Sequence, residues 1–415
     1  MSQRIFEGSF TQQEAIPEAA IASAVAVLRS GRLHRYNTAP GEHSETALLE
    51  RDYAAWQGAR YCLACASGGY AMQLALRAFG VADGEPVLTN AFTLSPVPGA
   101  IDAAGGRPVL VESGADLVID LADLATKIET SGARLLLLSH MRGHLVDMDA
   151  LMRLLDARGV ALIEDCAHTM GASWNGVKSG NFGIAACFST QTYKHINSGE
   201  GGLLTSDDAA LMARATLRSG SYMLYASHLA GPDEAAYAEA RLEQPNQSGR
   251  MDNLRAAILR PQLAALEDNI ARWNARYHAV EAALIDAAAG DGELRPIPRP
   301  AAERFVGSSI QFLAEGLDAA ATAAFLTRCK RRGVALKWFG AEQPSAYTSR
   351  HDHWGYVAAQ SLPRTDALLK ALFDMRIPLT FSVDDCALIG EIIGESLAAT
   401  RAGEPLQGPL DVDAI

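Results

Sequence analysis

Lysine is scarce in this chain. Among 36 lysines and arginines only six are lysines: Lys127, Lys178, Lys194, Lys330, Lys337 and Lys370. Chemistry that needs a primary side-chain amine therefore has six candidates. Positive charge is also short overall, with a formal net charge of −12 and a pI near 5.3. That argues against nucleic acid or an anionic membrane as partner, since either calls for a basic patch. Phosphate-bearing ligands stay open, because helix N-termini bind anions without net positive charge. No uninterrupted apolar stretch reaches the roughly 18 residues of a membrane span. Residues 1–7 lack the apolar segment of a signal peptide, so the expected location is the cytoplasm. No internal repeat or low-complexity segment occurs.

Cysteine is limited to six residues, with a single C-x-x-C at Cys62 and Cys65. No second pair exists to complete a zinc site, and no metal is expected. The flanking sequence Tyr61-Cys62-Leu63-Ala64-Cys65-Ala66 reads as a buried strand, where positions i and i+3 face opposite sides. Both cysteines are expected as small apolar fillers.

What is present is a globular composition, 49% hydrophobic and 20% charged. A chain of 415 residues suits two or three domains with a large core. Short apolar runs at 61–66, 86–90, 107–112, 134–139, 160–165, 185–189 and 201–205 alternate with helical patterns, for example 71–79, 121–128 and 149–157. Leu135-Leu136-Leu137-Leu138 and Val160-Ala161-Leu162-Ile163 are apolar on both faces, as strands covered by helices on each side are. The pattern predicts an α/β layer with a mainly parallel seven-stranded sheet. After 206 the rhythm changes. A long helix is expected over 250–285, then a break marked by Pro296, Pro298 and Pro300. A smaller α+β unit follows, with strands at 308–312 and 334–338 and helices at 319–331, 363–375 and 383–398. The expected division is a large domain over 1–265, a small one over 266–402, and a disordered tail over 403–415.

The chemistry concentrates at strand ends. Glu164-Asp165-Cys166-Ala167-His168 closes an apolar run, and ligands of open α/β sheets bind at the carboxyl ends of strands. A buried acid there needs a partner; a protonated pyridine nitrogen would serve, and so would capping of a following helix. Lys194 stands alone among the six lysines in a polar, turn-rich segment, five residues before Gly199-Glu200-Gly201-Gly202. An acid at a strand end and a lysine on a later loop are what a pyridoxal phosphate (PLP) enzyme needs, the lysine forming a Schiff base and the acid holding the ring nitrogen. His168 reads either as a cofactor contact or as a packing histidine. Ser67-Gly68-Gly69 between strand and helix forms a helix N-terminus suited to an anion, and Ser189 offers a hydroxyl at the end of a different strand, so that together they could clamp a phosphate. In Ser139-His140-Met141-Arg142-Gly143-His144, Arg142 either forks a substrate carboxylate or pairs with a structural acid. Gln244–Arg250 taken alone is a capping loop.

Taken in order, these motifs resemble the DegT/StrS family of fold-type I PLP enzymes, the sugar aminotransferases, from about residue 25 to 395. The resemblance rests on Ser30-Gly31, Ser67-Gly68 with Ala71 and Leu74-Ala75-Leu76, Glu164 to His168 with Gly171-Ala172, Phe188-Ser189 with Lys194 and Gly199 to Gly202, and Arg250-Met251 with Ala256-Ala257. It implies that Lys194 carries the cofactor and shuttles protons, that Asp165 binds the pyridine nitrogen and that His168 lies near the ring. It further implies that Phe92 stacks on the ring and that Gly68, Gly69 and Ser189 hold the phosphate. His140 and Arg142 would face substrate. The loop before Arg250 would reach the cofactor of a neighbouring subunit through Asn246 or Ser248, which makes the active unit a homodimer.

The chain departs from the family in four places. Gly69 replaces the usual Thr. Ser248 stands where Asn is usual, with Asn246 two residues earlier. Arg142 is added. The segment from Trp338 to Tyr356 lacks the family's histidine–tyrosine signature. The leading expectation is an aminotransferase moving an amino group from glutamate or glutamine to a keto sugar, nucleotide sugar or cyclitol. The alternatives are a PLP-dependent sugar dehydratase, in which histidine replaces the lysine, and a non-catalytic regulatory protein on the same fold.

Overall fold

Seven strands form the larger sheet of the computed structural model, which describes residues 4–288 and 294–406. In chain order they are β1 (Tyr61–Cys65), β2 (Pro86–Asn90), β3 (Arg107–Val111), β4 (Leu135–Ser139), β5 (Ala161–Asp165), β6 (Ala185–Ser189) and β7 (Gly202–Ser206). Their spatial order is β1-β7-β6-β5-β4-β2-β3. β2 to β6 pair in parallel, whereas β7 runs antiparallel between β1 and β6. Every strand expected between 60 and 206 is present, with ends shifted by at most one residue.

The uniform apolarity of β4 and β5 has a direct cause. Leu136, Leu138 and Leu162 pack into a core on one face, and Leu135, Leu137 and Ile163 into a core on the other. Cys62 and Cys65 divide between the same two cores, and all six cysteines are buried free thiols. No helix among the described residues is long and apolar enough to cross a membrane.

A second, antiparallel sheet contains β8 (Leu294–Pro296), β9 (Ser309–Ala314), β10 (Lys337–Trp338) and β11 (Leu372–Arg376), ordered β8-β9-β11-β10. Its apolar face, with Ile310, Phe312, Phe373 and Met375, packs on helices Leu266–Ala288, Ala319–Arg331 and Val383–Arg401. Two of these helices approach closely at Gly390, where a Cβ would lie 2.6 Å from Ala283 Cβ.

Two expectations need correction here. The helix expected over 363–375 ends at Ala371 and gives way to β11. Leu372-Phe373-Asp374-Met375-Arg376-Ile377 alternates with period two: Phe373, Met375 and Ile377 enter the core, which is strand patterning. The helix expected over 250–285 is divided into Asn253–Leu259, a 3-10 turn at Arg260–Ala265, and Leu266–Ala288. Pro261 has no amide hydrogen to continue an α-helical ladder. The tail expected to be disordered lies outside the described residues from 407 on; before it, the Glu404 amide donates to Ala399 O at 3.1 Å.

A buried ion pair ties the N-terminal helices to the sheet. Arg35, 2% exposed, forks Glu50, 0% exposed, through Nη1–Oε1 at 2.8 Å and Nη2–Oε2 at 2.9 Å. Glu50 also accepts from the Ala64 amide of β1 at 2.8 Å. Burial alone would raise the Glu50 pKa, but the Arg35 guanidinium and His228 outweigh it and hold it at about 2. Removing one partner of such a pair leaves an uncompensated buried charge. Glu50→Gln is expected to lower unfolding free energy by about 3–5 kcal/mol, read from urea denaturation. Because the folded-state pKa is depressed, the contribution is present above the ordinary glutamate range and is lost as pH falls towards 2.

Candidate active site

The ends of three parallel strands meet in register. Ser139 closes β4 opposite Asp165, which closes β5, and Asp165 pairs with Cys187 of β6, two residues before Ser189. Gly202 opens β7 against both Ser189 and Cys65. A Cβ on Gly202 would overlap the backbone of Ser67 and Gly68, so the absence of a side chain lets the turn after β1 close over the sheet edge. That turn starts helix Gly68–Phe79, N-capped by the Ser67 hydroxyl, which accepts from the Tyr70 amide at 3.0 Å. The first amides of the helix have no intrahelical acceptor and line the cavity with Ser189. Gly68 is needed for closeness, since a Cβ there would sit 2.9 Å from Ser189 Cβ. Gly69 is not: its nearest neighbour would be Pro96 Cβ at 3.9 Å, which leaves room for a side chain.

Asp165 is 6% exposed. Its Oδ2 accepts from Ser139 Oγ at 3.0 Å and its Oδ1 from the Ala167 amide at 3.1 Å. Burial raises its pKa despite these bonds and the nearby Lys194 charge. Such a carboxylate gains from a cationic partner. Lys194 also lines the cavity, and its Nζ lies 2.8 Å from His168 Nε2. Burial, followed by the charge of Arg142, lowers its pKa to about 7, against the pull of Asp165. His168 is pushed well below its ordinary range, by burial first and by Lys194 second. The amine and the imidazole thus share one hydrogen bond, whose direction follows the histidine tautomer.

The cavity, about 490 Å³, is of a size that suits a small ligand. It brings together an anion-binding helix terminus, a buried acid and an amine with a readily lost proton. Of the residues singled out from sequence, Gly68, Gly69, Asp165, His168, Ser189, Lys194 and Arg142 line it.

Others do not. Phe92, 1% exposed, packs edge-on against Phe339 with ring centres 5.1 Å apart, in a core with Leu313 and Leu372. The stacking role expected of it does not fit that place; Leu94 is in the cavity wall instead. His140 is likewise corrected as a substrate contact. Its Nε2 lies 3.0 Å from Glu164 Oε2, and Glu164 also accepts from the amides of Gly180, Phe182 and Gly183. His140 thus belongs to a buried network beneath the sheet edge. Asn246 and Ser248 sit on an exposed loop away from the cavity of their own chain, with Ser248 N and Oγ both donating to Asn246 Oδ1 at 2.9 and 3.1 Å.

Arg142 pairs with a structural acid and also reaches the cavity. Its Nη2 lies 2.9 Å from Asp374 Oδ2 while the side chain lines the cavity. Arg376, Tyr193 and Tyr347 line it too and were not found from sequence. The signal for Arg376 was the alternation of β11, read there as helix.

The chain matches the model of the DegT/DnrJ/EryC1/StrS aminotransferase family over residues 15–393. It is 30% identical over 255 residues to a pleiotropic regulatory protein of Geobacillus stearothermophilus, covering 60% of this chain and 63% of that one. It is 35% identical over 226 residues to dTDP-3-amino-3,4,6-trideoxy-alpha-D-glucose transaminase of Micromonospora megalomicea subsp. nigra, covering 54% and 57%. The chain thus spans 63% and 57% of the length of these two relatives. Its fold aligns with the crystal structure of 3-amino-5-hydroxybenzoic acid synthase at a TM-score of 0.78 and 25% identity, over 94% of this chain and 100% of that one. By the extent of the family match, the chain belongs to the DegT/DnrJ/EryC1/StrS aminotransferase family.

Proposed function

We propose that this protein is a PLP-dependent aminotransferase that takes an amino group from glutamate or glutamine and delivers it to a keto sugar, nucleotide sugar or cyclitol. The observation that carries this reading is the shared cavity of Lys194, Asp165 and the Gly68 helix terminus. A relative named as a transaminase of a dTDP-linked sugar supports it. PLP, when bound, supplies an aldehyde for amine exchange and an electron-withdrawing ring. The Gly68 and Gly69 amides and the Ser189 hydroxyl would hold its phosphate. Asp165 would pair with the ring nitrogen, which relieves the burial of its charge.

Lys194 is the residue that acts. With a pKa of about 7, much of its amine is unprotonated near neutrality, which suits both covalent attachment and proton transfer at the substrate carbon. His168 shares a hydrogen bond with the amine and so fixes its position. The dehydratase reading requires histidine in the lysine's place. His195, the next residue, turns instead to Ser308 Oγ at 3.1 Å and to the Trp273 ring. A purely regulatory role would leave the cavity's buried acid and amine without use.

The exposed loop carrying Asn246 and Ser248 is proposed to complete the phosphate site of a second copy, in a homodimer. The cytoplasm is the proposed compartment, in keeping with six unpaired thiols.

Three outcomes test this reading. The rate at which cofactor-free protein captures PLP, followed by absorbance, is expected to rise with pH around a midpoint near 7, because the amine must lose its proton. A midpoint near the ordinary lysine value would contradict it. L-Glutamate is expected to convert the bound cofactor's absorbance to the pyridoxamine form. Lys194→Ala abolishes that conversion, and Asp165→Asn lowers kcat by about 10²–10³-fold, as loss of a preorganised electrostatic partner does. Lastly, mixing inactive Lys194→Ala chains with inactive Ser248→Glu chains is expected to restore activity, since one site of the hybrid has an intact lysine and an intact neighbouring loop. Absence of recovery would remove the shared-site dimer.

A further inference from the structure

The cavity holds more fixed positive charge than the chemistry above uses. Arg142 stands in left-handed backbone, at φ 56°, a strained conformation that persists only where surrounding structure enforces it. The enforcement is visible. Next to it, Gly143 also has positive φ, and its carbonyl accepts from Arg299 Nη1 at 2.7 Å. Arg142 is 6% exposed, and its guanidinium carbon sits 4.5 Å from the Tyr347 ring centre. Its Nη2 approaches Asp374 Oδ2 at 2.9 Å, yet neither Nε nor Nη2 has an aligned hydrogen-bond acceptor among the described residues. The contact with Asp374 balances charge without satisfying the N–H groups, and buried donors of this kind normally find acceptors.

Arg376 enters from β11, two residues after Asp374. Its guanidinium carbon lies 3.6 Å from the Tyr193 ring centre and 5.2 Å from that of Tyr347. Among the described residues it makes no ion pair and no side-chain hydrogen bond. Asp374 is already engaged by Gln311 Nε2 at 2.7 Å and Tyr347 Oη at 3.0 Å. Lys337 stands near the same aromatic wall, its Nζ 6.0 Å from the Tyr347 ring centre, so three cations share that one carboxylate and positive charge is in excess. Glu200, which also lines the cavity, is exposed, so water screens its charge. Asp165 is held by Ser139 and Ala167.

We propose that Arg142 and Arg376 form a binding site for a carboxylate of the substrate, with Tyr193 and Tyr347 as aromatic walls that hold the guanidinium planes. An excess of positive charge matches an anion, and a planar fork matches a carboxylate. The inference deepens the aminotransferase reading and rests on it only for the word substrate. Amino donor and keto acceptor use one cavity in turn, so either can bring the carboxylate.

Calorimetric titration of glutarate, an unreactive dicarboxylate, into the PLP-loaded protein tests the site without transamination. The wild type is expected to bind it, and R376Q to weaken binding about 10–100-fold, as loss of charge-assisted hydrogen bonds does. R376K, which keeps the charge but not the fork, falls between. Unchanged cofactor absorbance in R376Q shows that the fold is intact. A parallel rise in KM for L-glutamate in the first half-reaction assigns the site to the donor. Weaker glutarate binding with an unchanged L-glutamate half-reaction assigns it to a carboxylated acceptor. Equal glutarate binding by wild type and R376Q, no binding by either, or tighter binding of methyl phosphate than of glutarate would overturn the proposal. Should PLP itself fail to bind, the aminotransferase reading falls, and the same titration on the cofactor-free protein still decides the carboxylate site.

Discussion

Desolvation of an amine and an acid in one cavity is the constraint on which the rest of this structure depends. Water would keep Lys194 protonated and Asp165 ionised, and neither would be of special use. Burial opposes both charges, lowering the lysine's pKa and raising the acid's. The cost is borne by the sheet around them. Asp165 closes a strand whose Leu162 and Ile163 are buried in two different cores, and its oxygens are held by a neighbouring strand end and a backbone amide. The amine is held by His168. A chemically responsive pair persists because the parallel sheet beneath it is rigid on both faces.

The second sheet meets the first mainly through β11, with β9 beside it. Along β11, Phe373 and Met375 anchor the strand in an apolar core, while Asp374 and Arg376 face the cavity side with Tyr347. Asp374 meets Arg142, which comes from the turn after β4. Gln311 of β9 links the same acid to His144 of that turn, at 2.8 Å. The two sheets are thus joined at the site by a polar network, and the charge it leaves over sets what kind of ligand the cavity favours. Anchoring in an apolar core and presentation of charge are alternate positions of one strand.

How much of this was legible in the sequence followed from how local each signal is. The β strands of the larger sheet were legible because helices cover both faces, so each strand is a short apolar run between turn residues. Asp165 and Lys194 were legible because a polar residue closing an apolar run, or the lone lysine in a polar turn, contrasts with its neighbours. Phe92 was misplaced by two residues' difference in a turn: the chain bends after β2, and Leu94 rather than Phe92 reaches the cavity wall. His140 looked available because its partner, Glu164, reaches it only across two paired strands. Arg376 was hidden because β11 follows a helix directly, and six residues of period-two alternation were absorbed into the helical pattern before them. The role proposed for Asn246 and Ser248 would depend on surfaces of a second copy, which one chain's sequence does not describe.

The central claim is that the Lys194 amine is the point where the cofactor is held. The most direct measurement is borohydride reduction of the PLP-treated protein, followed by proteolysis and mass spectrometry. The account predicts a single pyridoxyl-phosphate mass increment, on the peptide containing Lys194 and absent from Lys194→Ala. An increment on another of the six lysines, or none at all, would contradict it.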